Sequence, residues 1–398
     1  MKNLEKRINI DHIFIHSFFQ MMAGIVYGFG VFILINRGYS SGQAGLCMSL
    51  ASIFCFFVAP TISNFLDNSD KVSAFEAVVL LSLVITCLYG VNYFLGSKCL
   101  LLSIVFILAH GFYSAQEPCI NSMSSKFIAN GLNIGFTTAR AAGSFSYGLV
   151  CAIFGILTQN HSYKIVIIGG IIFSFLTAMI TLRIRSNYKL YDKRDLESVN
   201  KEENVSFKDF LKNNKLFLVL CVFLTGLFIG YTSTDNFMLL ITENVGGNSS
   251  DMGLILAFKA LVEAISIFMF PVFLKHIKLD NLLKISAISF VIKQAVFCIA
   301  PNVFFLYIGQ CFQMISFAII FPGMVEYVNV NLKKKETYRG NAIFTQTISI
   351  GSIISSVLAG NIAEIYGVPT MNVVALLITI ASAIGFVLTI IYKNKRAI

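Results

Sequence analysis

Residues 116–148 read QEPCINSMSSKFIANGLNIGFTTARAAGSFSYG and lie between two long apolar runs. Glu117 falls late in the first run and Arg140 early in the next. A carboxylate and a guanidinium are expensive in hydrocarbon, and where they occur there they are usually turned inward, paired and used. As helices, the two runs place Glu117 roughly 12 Å and Arg140 roughly 9 Å from the same edge. An ion pair between the two helices is therefore geometrically possible. Asn121 follows Glu117 by one helical turn, on the same face, and Tyr147 follows Arg140 by two. A forked donor, two acceptors and an aromatic ring suit the binding of a hydroxylated solute. The plainer alternative is an ion pair that only locks two helices together.

The second half of the chain carries its own set. Asp235 stands in GYTSTDNF, Lys259 and Glu263 are one helical turn apart, and Lys293, Gln313 and Gln346 are each set inside apolar runs. Lys259 and Glu263 can pair with each other. Asp235 and Glu263 together can neutralise Lys259 and Lys293. Glu263, near the middle of its run, is the best candidate for a carboxyl that takes up and releases a proton, because desolvation favours its neutral form. A purely structural charge network is the alternative. Other polar residues are weaker signals. Asp67 and Lys71 sit where they can brace the ends of helices, Glu76 and Glu326 sit where they can reach water, and His12, His16 and His110 are scattered and form no metal set. No phosphate-binding glycine loop, nucleophile constellation or metal spacing is visible. No catalytic residue and no cofactor is implied.

The elements that must position these residues can be read from composition. The chain has 398 residues, 56% of them hydrophobic and 13% charged, with 38 phenylalanines. Soluble domains carry nearer a quarter charged residues. Such values describe a polytopic membrane protein. Apolar stretches recur near 13–36, 42–65, 73–95, 99–125, 134–159, 163–184, 216–243, 250–275, 281–300, 302–328, 339–365 and 368–392. Each reaches the roughly 20 residues that a helix needs to cross a bilayer. Helices are required, because lipid offers no partner to open backbone groups.

The formal charge of +10 does not point to nucleic acid, because the basic residues track the spans. With both termini placed inside, Arg37, Lys98 and Lys164 fall outside, and Arg140, Lys259, Lys284 and Lys293 lie within spans. The remaining 23 of the 30 Lys and Arg residues fall in or beside segments expected to be cytoplasmic. That bias supports the orientation and the even number of spans. The nine cysteines are scattered singly, without CxxC or a Cys/His cluster. They read as small buried hydrophobes in a reduced chain. Lys2, Lys6 and Arg7 precede an apolar run too long for a signal-peptide core, so a retained first helix is expected.

The pattern divides in two. Residues 185–215 form the longest polar segment, a charged cytoplasmic linker expected to be partly helical from Ser206, which can cap the FKDFL turn. Pro60 in the second span is echoed by Pro271 in the eighth, and Pro118 in the fourth by Pro322 in the tenth, about 200 residues later. Matched prolines suggest a duplicated six-helix unit, and internal repeats of this kind are typical of secondary transporters. Small residues crowd the fifth span (Gly135, Ala139, Gly143, Ser144) and the eleventh (Gly340, Gly351, Ser352, Ser355, Ser356, Gly360), where they allow close helix packing.

Twelve spans in two halves with a charged central loop resemble the major facilitator superfamily. Several stretches are similar to its lactose permease branch, the oligosaccharide:proton symporters. The likeness is clearest at GFTTARAAGSFSYG and recurs at FFVAPTISNFLD, AISIFMFPVF and SVLAGNIAEIYG. It implies alternating access and a central sugar site. By this likeness Arg140 matches the branch's substrate- and coupling-linked arginine, Tyr147 the aromatic that stacks on the sugar ring, and Asp235 the seventh-helix aspartate. Lys293 stands where the branch has a ninth-helix arginine. The departures are as specific. Asn121 stands at the fourth-helix glutamate position, with Glu117 a turn earlier. Gln313 and Ser316 replace the tenth-helix histidine and glutamate, and Ile348 falls near the eleventh-helix lysine. Glu263 is about one turn from the branch's eighth-helix acid. The cytoplasmic loop motif is reduced to Asp67 and Lys71, with Ser63 for its glycine.

The expectation is an all-α membrane protein: twelve transmembrane helices in two six-helix pseudo-repeat bundles, 1–184 and 216–398, joined by the linker 185–215. The expected function is secondary active transport, the proton-coupled uptake of a sugar or glycoside by alternating access. A nucleoside, aromatic acid or drug on the same fold, efflux included, is the alternative. Glu117, Asn121, Arg140, Tyr147 and Gln313 are the expected solute-binding residues, and Asp235, Lys259, Glu263 and Lys293 the proton-coupling network. The partners are then a small polar solute, protons and the lipid bilayer, with no nucleic acid, no metal and no cofactor. The protein is expected to be a monomer in a bacterial inner cell membrane, with both termini cytoplasmic.

Overall fold

A computed structural model describes residues 2–67, 73–129, 131–132, 134–191 and 207–396. Lys71 and Ser206, named above as a brace and a cap, lie outside the described residues, as does much of the 185–215 segment. Eleven helices among the described residues are long and apolar enough to cross a membrane. They are α3 (Ser41–Asp67), α4 (Ala74–Phe94), α5 (Leu100–Ala129), α6 (Phe136–Asn160), α7 (Lys164–Tyr191), α9 (Lys215–Asn236), α11 (Ser249–His276), α12 (Leu279–Ile299), the broken tenth passage, α15 (Thr337–Tyr366) and α16 (Val368–Arg396). The first apolar stretch is carried in pieces, α1 (Lys2–Ala23), a π-helical turn (Gly24–Gly28) and α2 (Gly30–Ile35). Between α7 and α9 lies the short helix α8 (Phe207–Asn213), which is the FKDFL turn. The protein is all-α, with Pro60, Pro118, Pro271 and Pro322 each inside a helix.

Three expected spans are interrupted. The first has the π turn, closed by Phe29 N–H donating to Gly24 O at 3.2 Å. The seventh stops at Asn236 and resumes as α10 (Met238–Asn244). The tenth is α13 (Val303–Cys311), a 3₁₀ turn at Phe312–Met314 and α14 (Phe317–Asn331). Interruptions inside lipid need substitutes for the lost backbone bonds. The tenth passage supplies them from neighbouring helices: Ser286 Oγ donates to Ser316 O at 2.7 Å, and Ser266 Oγ donates to Met314 O.

The chain forms two compact units, Met1–Leu196 with Asn248–Ala260, and Glu197–Gly247 with Leu261–Ile398. In the first, α1 packs on α6 and α7, α4 packs on α5 and α7, and α5 packs on α3. Glycines set these approaches. A Cβ on Gly143 of α6 would lie 2.9 Å from Gln20 Cγ and 3.1 Å from His16 O of α1. Near the end of α6, Gly155 meets Gly253 backbone to backbone, and a Cβ on Gly253 would come 2.7 Å from Gly155 Cα. In the first half of α1, Asp11 is buried and bonded to Arg183 (3.3 Å) and to Asn187 Nδ2 (2.9 Å) of α7. Burial raises its carboxyl pKa, and Arg183 and Asn187 act against that.

In the second unit α9 is central, packed on α15 and α16, with α12 against α14 and α16. Phe217, Leu220, Leu224, Phe228, Phe290, Tyr327, Phe344 and Phe386 belong to its core. The small residues of α15 sit at the α9 contact. A Cβ on Gly351 would lie 2.8 Å from Phe228 Cβ, Ser355 Oγ is 2.6 Å from Thr232 Oγ1, and Asn236 Nδ2 donates to Ser356 Oγ at 3.1 Å.

Candidate functional site

The second unit holds a buried chain of polar side chains. Lys293, in the second half of α12, donates through Nζ to Gln313 Oε1 at 2.7 Å. Gln313 Nε2 donates in turn to Glu263 Oε2 at 2.9 Å and to Tyr231 OH at 3.4 Å. The ends of the amide are assigned by these neighbours: a cation needs the oxygen, and a carboxylate needs the N–H. Lys293 and Gln313 are 1% and 0% exposed, and Glu263 is half-buried. The ammonium also faces the Tyr231 ring at 5.0 Å and the Phe297 ring at 5.6 Å, where the π-faces compensate part of its lost hydration. Tyr231 is itself stacked on Phe317 at 5.0 Å, 16° from parallel.

The helix break explains the placement of Gln313. It lies in the 3₁₀ turn between α13 and α14. On α12 beside Lys293, Gln294 Nε2 donates to Gly230 O at 2.7 Å and Thr234 Oγ1 at 3.2 Å, bracing α12 on α9. Chemically the result is a cation and a carboxylate separated by a neutral amide. Adding a proton to Glu263 removes the negative charge at one end of this chain, while the amide stays oriented by the ammonium at the other.

The first unit gathers its polar groups differently. On α5, His110, Ser114, Glu117, Asn121 and Ser124 recur at helical spacing and make one stripe. His12 and His16 of α1 both reach Ser124 Oγ, at 2.7 and 3.5 Å, with their rings 4.8 Å apart. Tyr27 of the π turn reaches Ser114 Oγ at 2.7 Å. Glu117 and Arg140 are both exposed within this unit, and no ion pair joins them among the described residues. The bridge that their depths allowed is thus not formed. Arg140 lies instead where its charge acts on His16, and Glu117 acts on Tyr27 and Cys55. Tyr147 OH lies near Gly28, 3.8 Å from where a Cβ there would stand. Asn121 is half-buried on the stripe.

Three further residues singled out from the sequence occupy separate places. Asp235 is half-buried at the end of α9, one residue before Asn236 closes the helix. Lys259 is buried in the stretch that belongs to the first unit, whereas Glu263 belongs to the second. The Gln346 carboxamide oxygen of α15 is buried without a hydrogen-bond partner among the described residues. Those residues contain no group of three or more His, Cys, Asp or Glu suited to a metal ion. Tyr27, Ser114, Ser124 and Tyr231 were not singled out from sequence. The polar stripe at 110, 114, 117, 121 and 124 was the available signal for two of them, through its 3.6-residue period.

Long apolar helices with prolines inside them and a buried polar chain that ends on a cation describe a helical membrane protein. The chain belongs to the MFS_1 like family, whose model matches residues 8–371. It is 24% identical over 291 residues to the "Uncharacterized transporter YwbF" of Bacillus subtilis (strain 168), covering 73% of this chain and 69% of that one. Its fold is similar to a crystal structure of the nucleoside transporter NupG in a mutant form, at a TM-score of 0.80 and 14% identity over 97% of this chain and 99% of that one. It is also similar to a bacterial homolog of the human lysosomal transporter Spinster, at a TM-score of 0.71 and 12% identity over 98% of each chain. The protein is a transporter of the major facilitator fold.

Proposed function

We propose that this protein is a proton-coupled secondary transporter for a small neutral glycoside, nucleosides being included as N-glycosides, and that it works by alternating access. The observation that carries the reading is the Lys293–Gln313–Glu263 chain. A half-buried carboxylate tied through an amide to a buried ammonium is a two-state element: its charge balance changes when the carboxyl protonates, and a conformational change that re-pairs Lys293 couples proton uptake to opening. Asp235 is the second carboxyl that can serve the same lysine. In the first unit, Arg140 and Glu117 are exposed side chains of opposite sign that can bind hydroxyls, with Tyr147 as the ring. The likeness at GFTTARAAGSFSYG to the oligosaccharide:proton symporters and the fold shared with NupG both favour a glycosidic solute over a drug or an aromatic acid.

The test is uptake into proteoliposomes under an imposed pH gradient, with sugars and nucleosides as solutes. Wild-type protein is expected to accumulate one of them above its equilibrium level and to stop when the gradient is collapsed. Glu263→Gln is expected to lose accumulation while still exchanging solute down its own gradient. Accumulation by Glu263→Gln equal to wild type would sink the coupling assignment, and wild-type uptake indifferent to the gradient would sink proton coupling altogether.

A further inference from the structure

Tyr27 occupies an unusual stretch of backbone. The π turn Gly24–Gly28 adds one residue to a helical turn and so rotates α2 about the helix axis relative to α1. Such turns are frequent at functional sites. The glycines at its two ends let the first passage lie against α6. A Cβ at Gly24 would stand 3.1 Å from Val150 Cγ1, and one at Gly28 would stand 3.3 Å from Cys151 Sγ. Between them Tyr27 is directed at α5. Its ring meets His110 at 5.0 Å and Tyr113 at 5.8 Å, at steep interplanar angles of 83° and 71°. Tyr113 is fixed in turn by stacking on Phe19 and by its own O–H, which donates to Phe19 O at 3.0 Å. The Tyr27 ring is thus held on two sides, and the residue remains 38% exposed.

Proton accounting then decides what the Tyr27 hydroxyl offers. A serine hydroxyl has one hydrogen to donate. Ser114 Oγ donates it to His110 O at 3.0 Å, within α5. With the Ser114 hydrogen on that carbonyl, the phenol is the donor in the 2.7 Å contact between Tyr27 and Ser114. With its only hydrogen committed, the phenol oxygen presents lone pairs alone. Glu117, three residues beyond Ser114 on the same face of α5, is exposed and as a carboxylate also only accepts. Two acceptor groups with no hydrogen to give thus stand near each other in the first unit.

We infer that Tyr27 and Glu117 together form a solute subsite that recognises adjacent hydroxyl donors, the vicinal diol of a sugar or ribosyl ring, and that Tyr27 is a specificity-determining residue positioned by the π turn. This deepens the glycoside reading above and rests on it. A ring that offers two O–H groups satisfies both acceptors. An analogue lacking one of those hydroxyls leaves an acceptor facing it unfilled, which is how polar sites reject close analogues.

The test is equilibrium binding to the purified full-length protein in lipid nanodiscs. The probes are methyl β-D-galactoside, lactose, uridine and the monodeoxy analogues of each. Tyr27→Phe keeps the ring packed on His110 and Tyr113 and removes only the oxygen. It is expected to weaken the hydroxylated parent solute by about tenfold, the size of one lost uncharged hydrogen bond, and to leave the affinity of one deoxy analogue unchanged. Discrimination against that single analogue then disappears. Ser114→Ala frees the phenol hydrogen and is expected to relax the same discrimination without removing the oxygen. Equal weakening of every probe by Tyr27→Phe overturns the proposal in favour of a packing role, and so does unchanged discrimination. If the wild type binds none of these probes, the glycoside reading itself fails and this subsite fails with it.

Discussion

The two polar clusters hold their charges in opposite ways. In the second unit Lys293 and Glu263 are tied through Gln313, at 2.7 and 2.9 Å, and the ammonium is nearly without solvent. In the first unit Glu117 and Arg140 are exposed, and among the described residues they form no ion pair with each other. A buried chain of charge is rigid and costly to break, because removing one member leaves another uncompensated in a low dielectric. Charges within membrane helices are usually turned inward, where a solute can reach them. On the function proposed above, the contrast separates two tasks, proton coupling at one cluster and solute binding at the other. It also explains why the same residue types, a carboxylate and a cation on neighbouring helices, do not carry the same meaning at both places.

The largest expected effect breaks the contrast on the buried side. Lys293→Met leaves Gln313 and Glu263 without this cation and is expected to destabilise the protein by about 3–5 kcal/mol, as for other broken buried pairs. Gradient-driven uptake is expected to be lost with it. The readouts are thermal unfolding in detergent and proteoliposome uptake. A Lys293→Met protein as stable and active as wild type removes the distinction between the clusters.

A smaller effect is expected at Arg140, and of a different kind. Arg140→Ala breaks no ion pair to Glu117, so stability is expected to stay within about 0.5 kcal/mol of wild type, as for surface substitutions. Solute affinity is expected to fall by roughly ten- to a hundredfold, the size of a lost charge-assisted hydrogen bond. Arg140→Lys is expected to restore little of it, since an ammonium is a point charge where a guanidinium is a planar fork. Binding and melting temperature measured on the same preparations decide the matter. A large loss of stability with unchanged affinity makes Arg140 structural and collapses the contrast from the other side.

The smallest expected effect concerns the packing beneath the second cluster. Gly351→Ala puts a methyl 2.8 Å from Phe228 Cβ, between α15 and α9. A loss of about 1–3 kcal/mol is expected, as for other overpacked cores, with solute affinity of the folded fraction unchanged. If affinity falls while stability holds, the small residues of α15 belong to the site and the packing reading of that stripe is wrong.

Much of the fold was legible in the sequence for a simple reason. Long apolar runs are local averages, and lipid permits nothing but helix across them. The spans near 42–65, 73–95 and 368–392 correspond to α3, α4 and α16 within a few residues. The four prolines each fall inside a helix, and the family model matches residues 8–371. Hydropathy could not register the interruptions at Gly24–Gly28, at Phe237 and at Phe312–Ser316. Broken and continuous helices have the same average composition, and a break survives only where neighbours such as Ser266 and Ser286 supply hydrogen bonds.

The partners of individual side chains were settled at the tertiary level. Depth along a helix can be counted from sequence, and it placed Glu117 level with Arg140. Rotation about the helix axis is set by packing. Gly143 drawing α6 onto α1 and the π turn in the first passage both change it. Such rotations leave no ion pair between Glu117 and Arg140 among the described residues and turn Tyr27 onto Ser114, while the break in the tenth passage delivers Gln313 between Lys293 and Glu263. Residue types and apolar lengths determined that this is a helical membrane protein with charged residues inside its apolar runs. Helix rotation, which no local pattern encodes, decided which charges meet.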